Sequence, residues 1–574
     1  MKTLTHKVEF CVVGGGIAGM CAAIAAARHG IRTMIIQDRP VFGGNASSEI
    51  RMWICGSPHF LETGIVEELR LENLYRNTYP NYSVWDTILY EKIRYQENLV
   101  SLMNTTCVEA VREGNRIKSV KGWQLTTETW HIVEADLFAD CSGDGILAPL
   151  AGADFRMGRE AKAEFGESLA QDEADRKTMG MSCLIQVRET DRPQKFTPPK
   201  WAYSYPTEES LPPCRGHDLS RLQNFWYLEL GGNRDSIGDA EEVKDELLKT
   251  AMGMWDHIKN HGDHGAENFV LDWIGFLPGK RESRRLMGDC ILTQNDVLNH
   301  TSFDDVVAYG GWPVDDHHPD GFEYRGGEAN IHIQPEQPYG IPLRCLYSRN
   351  IENLFFAGRN ISCTHVGISS TRVMATCACL GQAVGTAAVF AVRNALTPRE
   401  TCGKFIGEIQ NTLMDDDCFL PGKVRSISEL CRKAALSASC GDPEELRSGV
   451  DREVGDSLNA WQCGEGDWAE YDFGKPTPLK RVRLIFDSRL RRNKTQDHLN
   501  MIFNRYKDTP DYKVDECLVE AYHIEADGKV IFREKENYQR LVKIPVDVKA
   551  SRLRLVIDKL RGSGKRNVFA FEAQ

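Results

Sequence analysis

The chain has 574 residues, more than one hydrophobic core serves, so two or three domains are expected. Charged residues make up 26% and hydrophobic ones 41%, a globular composition, and a net charge of −12 argues against a general binder of nucleic acid or anionic membrane. No run of 18 apolar residues predicts a membrane span, MKTLTHKVEF holds no signal-peptide core, and 18 scattered cysteines without a CxxC pair predict free thiols in a cytoplasmic protein.

The first predicted element is the apolar run in VEFCVVGGGIAG, Val8 to Gly19, followed by an Ala- and Ile-rich helical pattern to His29. This reads as strand, tight turn and helix. Gly14, Gly16 and Gly19 have the spacing of a dinucleotide-binding turn. Gly14 allows the turn, Gly16 lets the backbone approach a pyrophosphate, and Gly19 lets helix and strand pack closely. Ile17 and Ala18 open the helix, whose free N–H groups and positive dipole end face the phosphates. A second strand, Arg32 to Gln37, follows. Gln37 stands where an acidic residue accepts ribose hydroxyls, Asp38 comes next, and Arg39 is placed along the adenine or the phosphates. A 2′-phosphate would also prefer Arg, so this position leaves the nucleotide open.

Next comes VFGGNASSEIRMWICG, Val41 to Gly56. Gly43 and Gly44 permit a second close backbone approach. Asn45, Ser47, Ser48, Glu49 and Arg51 are polar, and the apolar Ile50, Met52, Trp53 and Ile54 among them favour a segment threading past a cofactor. Together these stretches resemble the FAD-binding half of the glutathione-reductase-type flavoproteins. GGNASSEIRM is similar, more narrowly, to FAD-dependent oxidoreductases found in bacterial polysaccharide-utilisation gene sets. The resemblance implies FAD as cofactor, with Gly43, Gly44 and Asn45 beside the pyrophosphate and ribityl chain and Ser48 in the same binding segment.

Residues 61–98 have a helical pattern. NTTCVEAVREGNRIKSV, Asn104 to Val120, alternates about an Asn-bearing turn and predicts a hairpin. In the resembled class a small β-meander sits here, which implies backbone contact between Val108 and the adenine. DLFADCSGDG, Asp136 to Gly145, is similar to the family's D-A-T-G-D-G, with Cys141 and Ser142 as small replacements; Cys141, Ser142, Gly143 and Asp144 are thereby implied at the nucleotide. Residues 152–272 then read as an inserted α+β cap that holds substrate. The aromatics Trp201, Tyr203, Tyr205, Phe225, Trp226 and Tyr227 read as core before they read as stacking faces for sugars. In DHIKNHGDHG, His257, His261 and His264 read as a solvated loop, and no metal site is expected.

PGKRESRRLMGDC resembles the family's R-E-S-R-R-x-x-G-D block, and Arg281, Glu282, Ser283 and Arg284 are expected along the substrate or flavin cleft. YGGWPVDDHHPDG reads by default as a turn-rich surface loop, with His317 and His318 beside Asp315 and Asp316 facing substrate as the alternative. Asn353 to Ala388 predicts a strand, a turn at Gly358 and a helix of small residues beginning near Thr371. In the flavoprotein class such a turn reaches the ribityl chain and the helix N-terminus faces the flavin pyrimidine. Gly358, Arg359 and Met374 are thereby implied as cofactor contacts, and a positive helix end there stabilises negative charge on reduced flavin. His365 lies in this block and is the candidate general base, with Arg284 or Arg372 orienting substrate. Cys55 reads as a buried thiol.

Beyond residue 420 the alternation in AWQCGEGDWAEYDFGKP, VRLIF, CLVEAYHIEA, KVIFRE and SRLRLVID predicts an antiparallel sandwich. Its opening resembles discoidin-like, galactose-binding-type jelly rolls. The expected layout is an α/β, Rossmann-like FAD domain at 1–151, the cap at 152–272, the return to the FAD domain at 273–420 and the sandwich at 421–574. No second GxGxxG occurs, so no NAD(P)H domain is expected and electrons pass through the substrate, oxygen or a separate carrier. The expected activity is oxidation of a sugar, glycoside or polyol alcohol by hydride transfer to flavin N5. A fumarate-reductase-like reductase of an activated alkene, and a non-catalytic carbohydrate-binding flavoprotein, are the alternatives.

Overall fold

Phe10–Val13 closes the first strand, β1 (Lys2–Val13), and is fully buried, as a central strand covered on both faces must be. The computed structural model describes residues 1–58, 60–213, 216–490 and 504–574. β1 pairs in parallel with β2 (Thr33–Ile36) on one side and β6 (Thr129–Asp140) on the other. β3 (Leu99–Leu102) extends the parallel part beyond β2. β4 (Thr105–Glu113) and β5 (Arg116–Gln124) form an antiparallel meander on β6, while the strand Leu354–Phe356 pairs in parallel with the end of β6. The order β3–β2–β1–β6–β5–β4 makes a Rossmann-like sheet with a meander attached.

Helix α1 (Ile17–Arg28) joins β1 to β2 and is buried from Ile17 to Ala27. The helix Met374–Asn394 lies along it at backbone distance: a Cβ on Gly381 or Gly385 would fall 2.0 and 2.2 Å from the carbonyl oxygens of Ala18 and Ala22. This second helix is long and apolar enough to cross a membrane, yet 89% of its most apolar window is buried inside the protein. The helix expected from near Thr371 is Met374–Asn394, and a short helix the sequence did not predict, His365–Thr371, precedes it across Arg372 and Val373.

By chain contacts the first unit comprises the described residues of 1–58, 79–409 and 494–511, and the second those of 59–78, 410–493 and 512–574. Within the first unit the insert has its own core. The apolar face of the helix Ala240–Asn260, with Leu247, Ala251, Met254 and Trp255, packs on Phe225, Tyr227 and Leu228. Trp201 and Tyr203, read as core from the sequence, are exposed. Residues 504–511 return to this insert: Asn504 Oδ1 accepts from the Val187 N–H at 3.0 Å. His257 corrects the reading of DHIKNHGDHG as a solvated loop. It occupies the last turns of the helix on its buried face and is fully enclosed.

The second unit is one antiparallel sheet folded on itself into the expected sandwich. Its two long strands, Trp468–Phe486 and Leu541–Leu560, bend at register shifts between Asp472 and Thr477 and between Leu479 and Arg481. Trp461, Tyr471, Leu484, Tyr522, Leu555 and Phe571 fill its core. The helix Ile65–Arg76 belongs to this unit: Leu71 enters the same core, and Tyr75 stacks on Tyr538 at 3.9 Å. The helical pattern of 61–98 is therefore two helices, with Pro80 standing between Ile65–Arg76 and Tyr82–Arg94.

Candidate active site: a nucleotide turn and a charged cavity

The turn after β1 is shaped by steric necessity. Gly14 has φ 108°, and a Cβ there would sit 2.3 Å from the Cys141 carbonyl oxygen. A Cβ on Gly19 would sit 1.9 Å from the Gly14 carbonyl oxygen. Gly16 is the N-cap of α1 and supplies no capping side chain, so the first N–H groups of the helix, beginning at Ile17 and Ala18, face outward for an anion. The Gly43 N–H donates to the Gly15 carbonyl at 2.8 Å, and Gly16 bridges to Gly43, so the two glycine loops lie against each other.

Gln37 serves the turn itself. Its Oε1 accepts from the Gly15 N–H at 2.9 Å and its Nε2 donates to the Val41 carbonyl at 2.8 Å. Asp38 is exposed beside Arg39, whose guanidinium lies 3.6 Å from Glu49. The Ser48 N–H donates to Asp86 at 3.0 Å. On the meander, pairing skips from Cys107 to Glu109, which leaves Val108 as a bulge outside the ladder. Buried Asp140 accepts from the Ser142 N–H and hydroxyl and from the Leu147 N–H, fixing the loop through Cys141, Ser142 and Gly143. Asp144 pairs with Lys280 at 2.8 Å and Arg359 at 2.5 Å. Burial raises its carboxyl, but these two cations outweigh it and hold the group well below the usual carboxylate range.

Beside this loop lies a cavity of about 280 Å³. Asn45, Lys280, Arg359, Val373 and Met374 form part of its wall, and Met374 opens the helix Met374–Asn394, whose N-cap Val373 makes no side-chain cap. Trp53, Trp226, Trp312, Asp315, His317, Asn330 and Arg372 form another part. His317 lies on a buried strand, Val314–His317, paired with Asn330–Ile333, which corrects the surface-loop reading of this stretch. Its Nδ1 is 2.6 Å from Glu229 Oε2 and its Nε2 3.2 Å from Asp315 Oδ2. Arg281 lies 3.3 Å from the same Glu229 oxygen, and Arg372 lies 3.3 Å from Asp315 Oδ2. Burial disfavours the imidazolium, but Glu229 and Asp315 outweigh it and raise the His317 pKa. Burial likewise opposes ionisation of Glu229, yet Arg281 and His317 bring its carboxyl down to about 2. Arg372 Nε is buried and has no hydrogen-bond partner among the described residues.

His365 is elsewhere in the same network of charges. It opens the helix His365–Thr371 and is not among the side chains that border the cavity. Its Nδ1 lies 2.8 Å from Glu282 and its Nε2 3.0 Å from Asp316, while its backbone N–H donates to Glu160. Burial works against the cation, but Glu282 and Asp316 push its pKa up to about 10. Arg285 completes this buried set, 3.1 Å from Glu160. Arg284 also lies off the cavity: it donates to the Asp144 carbonyl at 3.2 Å and stacks 5.5 Å from the Phe155 ring.

A family model described as FAD dependent oxidoreductase matches residues 9–413. The chain belongs to that family. FAD is the cofactor of the oxidoreductase, and a groove bounded by two glycine loops, an uncapped helix start and a cavity suits a dinucleotide that carries a flat ring system. No curated protein matches this oxidoreductase. Among solved structures, a geranylgeranyl bacteriochlorophyll reductase-like protein from Thermoplasma acidophilum is 13% identical, covers 72% of this chain and 86% of its own, and has a TM-score of 0.31. L-proline dehydrogenase from P. horikoshii is 14% identical with a TM-score of 0.17 over 25% of this chain, and the oxidoreductase spans about a quarter of that relative, 24%. The CBM32 of AlyQ, solved with 4,5-unsaturated mannuronic acid, is 12% identical with a TM-score of 0.16 and covers 24% of this chain and 93% of its own.

Of the residues expected at a substrate, the cavity brings Arg372 to its wall and not His365 or Arg284. Arg281, three positions before Arg284, takes the wall position. The sequence reading missed His317, Asp315 and Glu229 as a set. Asp315 and His317 were readable as alternate residues of a strand, but Glu229 is far off in the chain.

Proposed function

We propose that the oxidoreductase oxidises a hydroxyl of a sugar, glycoside or polyol, with His317 as proton acceptor. One observation carries this reading: a single cavity joins three tryptophans, Trp53, Trp226 and Trp312, to a histidine held between two carboxylates. Aromatic faces match the C–H faces of a sugar ring, and charged and amide groups match its hydroxyls. Asp315, Asn330 and Lys280 supply such groups, and Arg372 adds an unused Nε donor. The sequence resemblance of the second unit to galactose-binding-type jelly rolls supports the same substrate class.

In this reading Gly14, Gly16 and Gly19, with the start of α1 at Ile17 and Ala18, hold the FAD pyrophosphate. Gly43, Gly44, Asn45 and Ser48 flank it, with Asp38 and Arg39 toward the ribose. Val108 offers its unpaired-register backbone to the adenine. Cys141, Ser142, Gly143, Asp144, Gly358, Arg359 and Met374 would hold the rest of the cofactor. FAD, when bound, accepts the hydride. His317 takes the hydroxyl proton once it is itself deprotonated, and Glu229 and Asp315 stabilise the resulting imidazolium. Oxygen or a separate carrier would be the electron acceptor, in an enzyme we place in the cytoplasm.

A second reading follows from the raised His317 pKa. A charged imidazolium beside Arg281 and Arg372 is a proton donor for reduction of an activated alkene bearing a carboxylate. An anaerobic absorbance titration separates the two. Bleaching of the flavin band by a sugar, glycoside or polyol is the expected result. A band that no alcohol bleaches, but whose dithionite-reduced form is reoxidised by an unsaturated carboxylate, replaces oxidation by the second reading.

A further inference from the structure

We propose that the inserted cap carries a structural zinc site made by Glu208, His217, His257 and His264. The four ligand atoms lie within 4.8 Å of one another. Glu208 Oε1 is 3.3 Å from His217 Nε2, 3.3 Å from His257 Nε2 and 3.6 Å from His264 Nε2. Zinc bonds of about 2.0–2.1 Å to nitrogen and oxygen set tetrahedron edges of about 3.3–3.4 Å. Three of the six edges are therefore close to their liganded length. The imidazoles form a near-equilateral triangle with centroids 4.7, 4.9 and 5.1 Å apart. Their planes are inclined by 72°, 51° and 82°, so they converge on a point rather than stack.

Protonation gives a second argument. His257 Nδ1 is 2.6 Å from the Tyr205 carbonyl, which can only accept, so the proton sits on Nδ1. This is the backbone partner that a zinc-bound histidine commonly has. The Nε2 of that tautomer presents its lone pair to Glu208 Oε1 at 3.3 Å, where a metal ion competes with a second ring proton for the space between them. His264 Nε2 also lies 3.3 Å from the His261 carbonyl, a contact that ligation would replace.

The placement explains two odd features of the sequence. Gly262, at φ 126°, reverses the chain after the helix Ala240–Asn260 so that His264 folds back beside His257. Between Glu189 and Glu229 the regular structure among the described residues is one short turn of helix, Glu208–Ser210. So long an irregular stretch is unusual without an anchor. It carries two of the ligands, and it ends in Trp226 on the cavity wall. Two ligands on this stretch and two at the helix end staple it down, and four protein ligands make the site closed, as structural zinc sites are. Three nitrogens and one oxygen suit zinc rather than calcium or magnesium. Glu208 is 59% exposed, which opens a path for the ion.

The test is the zinc content of untagged, full-length protein, by plasma mass spectrometry, for wild type and the double variant His217→Ala/His264→Ala. One zinc per chain in wild type, lost in the variant, is expected. Cobalt substitution should give the visible bands of a tetrahedral site. Chelation should lower the thermal midpoint of wild type and leave the variant unmoved. If the double variant does not fold, Glu208→Gln, on the exposed ligand, should weaken zinc binding about 10–100-fold with an unchanged circular dichroism spectrum. Zinc-free wild type that takes up none on titration, or variants that bind zinc as wild type does, would overturn the site.

Discussion

Two histidines of the first unit share a chemistry and differ in their surroundings. His365 sits between Glu282 and Asp316 at 2.8 and 3.0 Å, and His317 between Glu229 and Asp315 at 2.6 and 3.2 Å. Both are buried, and at both two carboxylates overcome the burial that would discharge the ring. His317 borders a cavity, with the Trp226 ring 5.5 Å away and Arg281 and Arg372 on the same wall. Around His365 the positions are filled by Glu160, Glu282, Asp316 and Arg285. A perturbed pKa marks a functional candidate only where a ligand can reach it. The same triad of charges is enclosed at His365 and borders a cavity at His317, which is why the proposed proton acceptor is His317.

The largest effect expected is on turnover. His317→Gln should lower kcat for alcohol oxidation by about 10²–10⁴-fold, the usual worth of a positioned acid–base group, with flavin content unchanged. His365→Gln should leave the kcat of the folded enzyme within a few-fold of wild type. Equal losses in the two variants, measured by stopped-flow flavin reduction, would erase the distinction drawn here.

Stability should show the opposite order. His365→Ala removes the imidazolium shared by Glu282 and Asp316, leaving Glu282 with Arg285 and the Met179 N–H, and removing one member of a buried ion pair costs about 3–5 kcal/mol, readable in urea unfolding. The pH dependence has a definite sign. His365 rises from an unfolded value of 6.5 to about 10 in the fold, so its contribution is full below pH 6.5 and is lost as pH climbs toward 10. His317, raised as well, must lose its proton to act as a base, so kcat/KM for oxidation should increase with pH above 6.5. Activity and stability should therefore run in opposite directions across alkaline pH. A kcat/KM that instead falls with rising pH would favour the proton-donor role of His317.

What the sequence disclosed follows the range of the interactions involved. Gly14 and Gly19 are legible because each meets a forced backbone contact within a short stretch, and the spacing records it. The family block around Arg281 was also legible, but not which arginine faces the cavity, because Arg281 and Arg284 are chosen between by Glu229 and Asp144 far away in the chain. VDDHHPDG has the composition of a turn, and only pairing with Asn330–Ile333 turns His317 inward. The histidines near the end of the cap helix reveal a ligand set only beside Glu208 and His217, on the other side of the cap sequence. Long-range partners of this kind leave no local periodicity to read.

The smallest effect separates the two arginines. Arg372 borders the cavity with a buried Nε that has no partner among the described residues, so Arg372→Met removes the charged donor proposed for substrate. A hydrogen bond to a charged group is worth about 1.5–3 kcal/mol, which predicts a rise in KM of roughly tenfold or more with kcat changed less. Arg284 stands outside the cavity over the Phe155 ring. Arg284→Met should leave KM within about twofold and cost stability the cation–π contact, about 0.5–1 kcal/mol, and the hydrogen bond to the Asp144 carbonyl, about 1 kcal/mol. Steady-state kinetics on the two variants tests the assignment directly: a KM that responds to Arg284 and ignores Arg372 would move the substrate out of the His317 cavity.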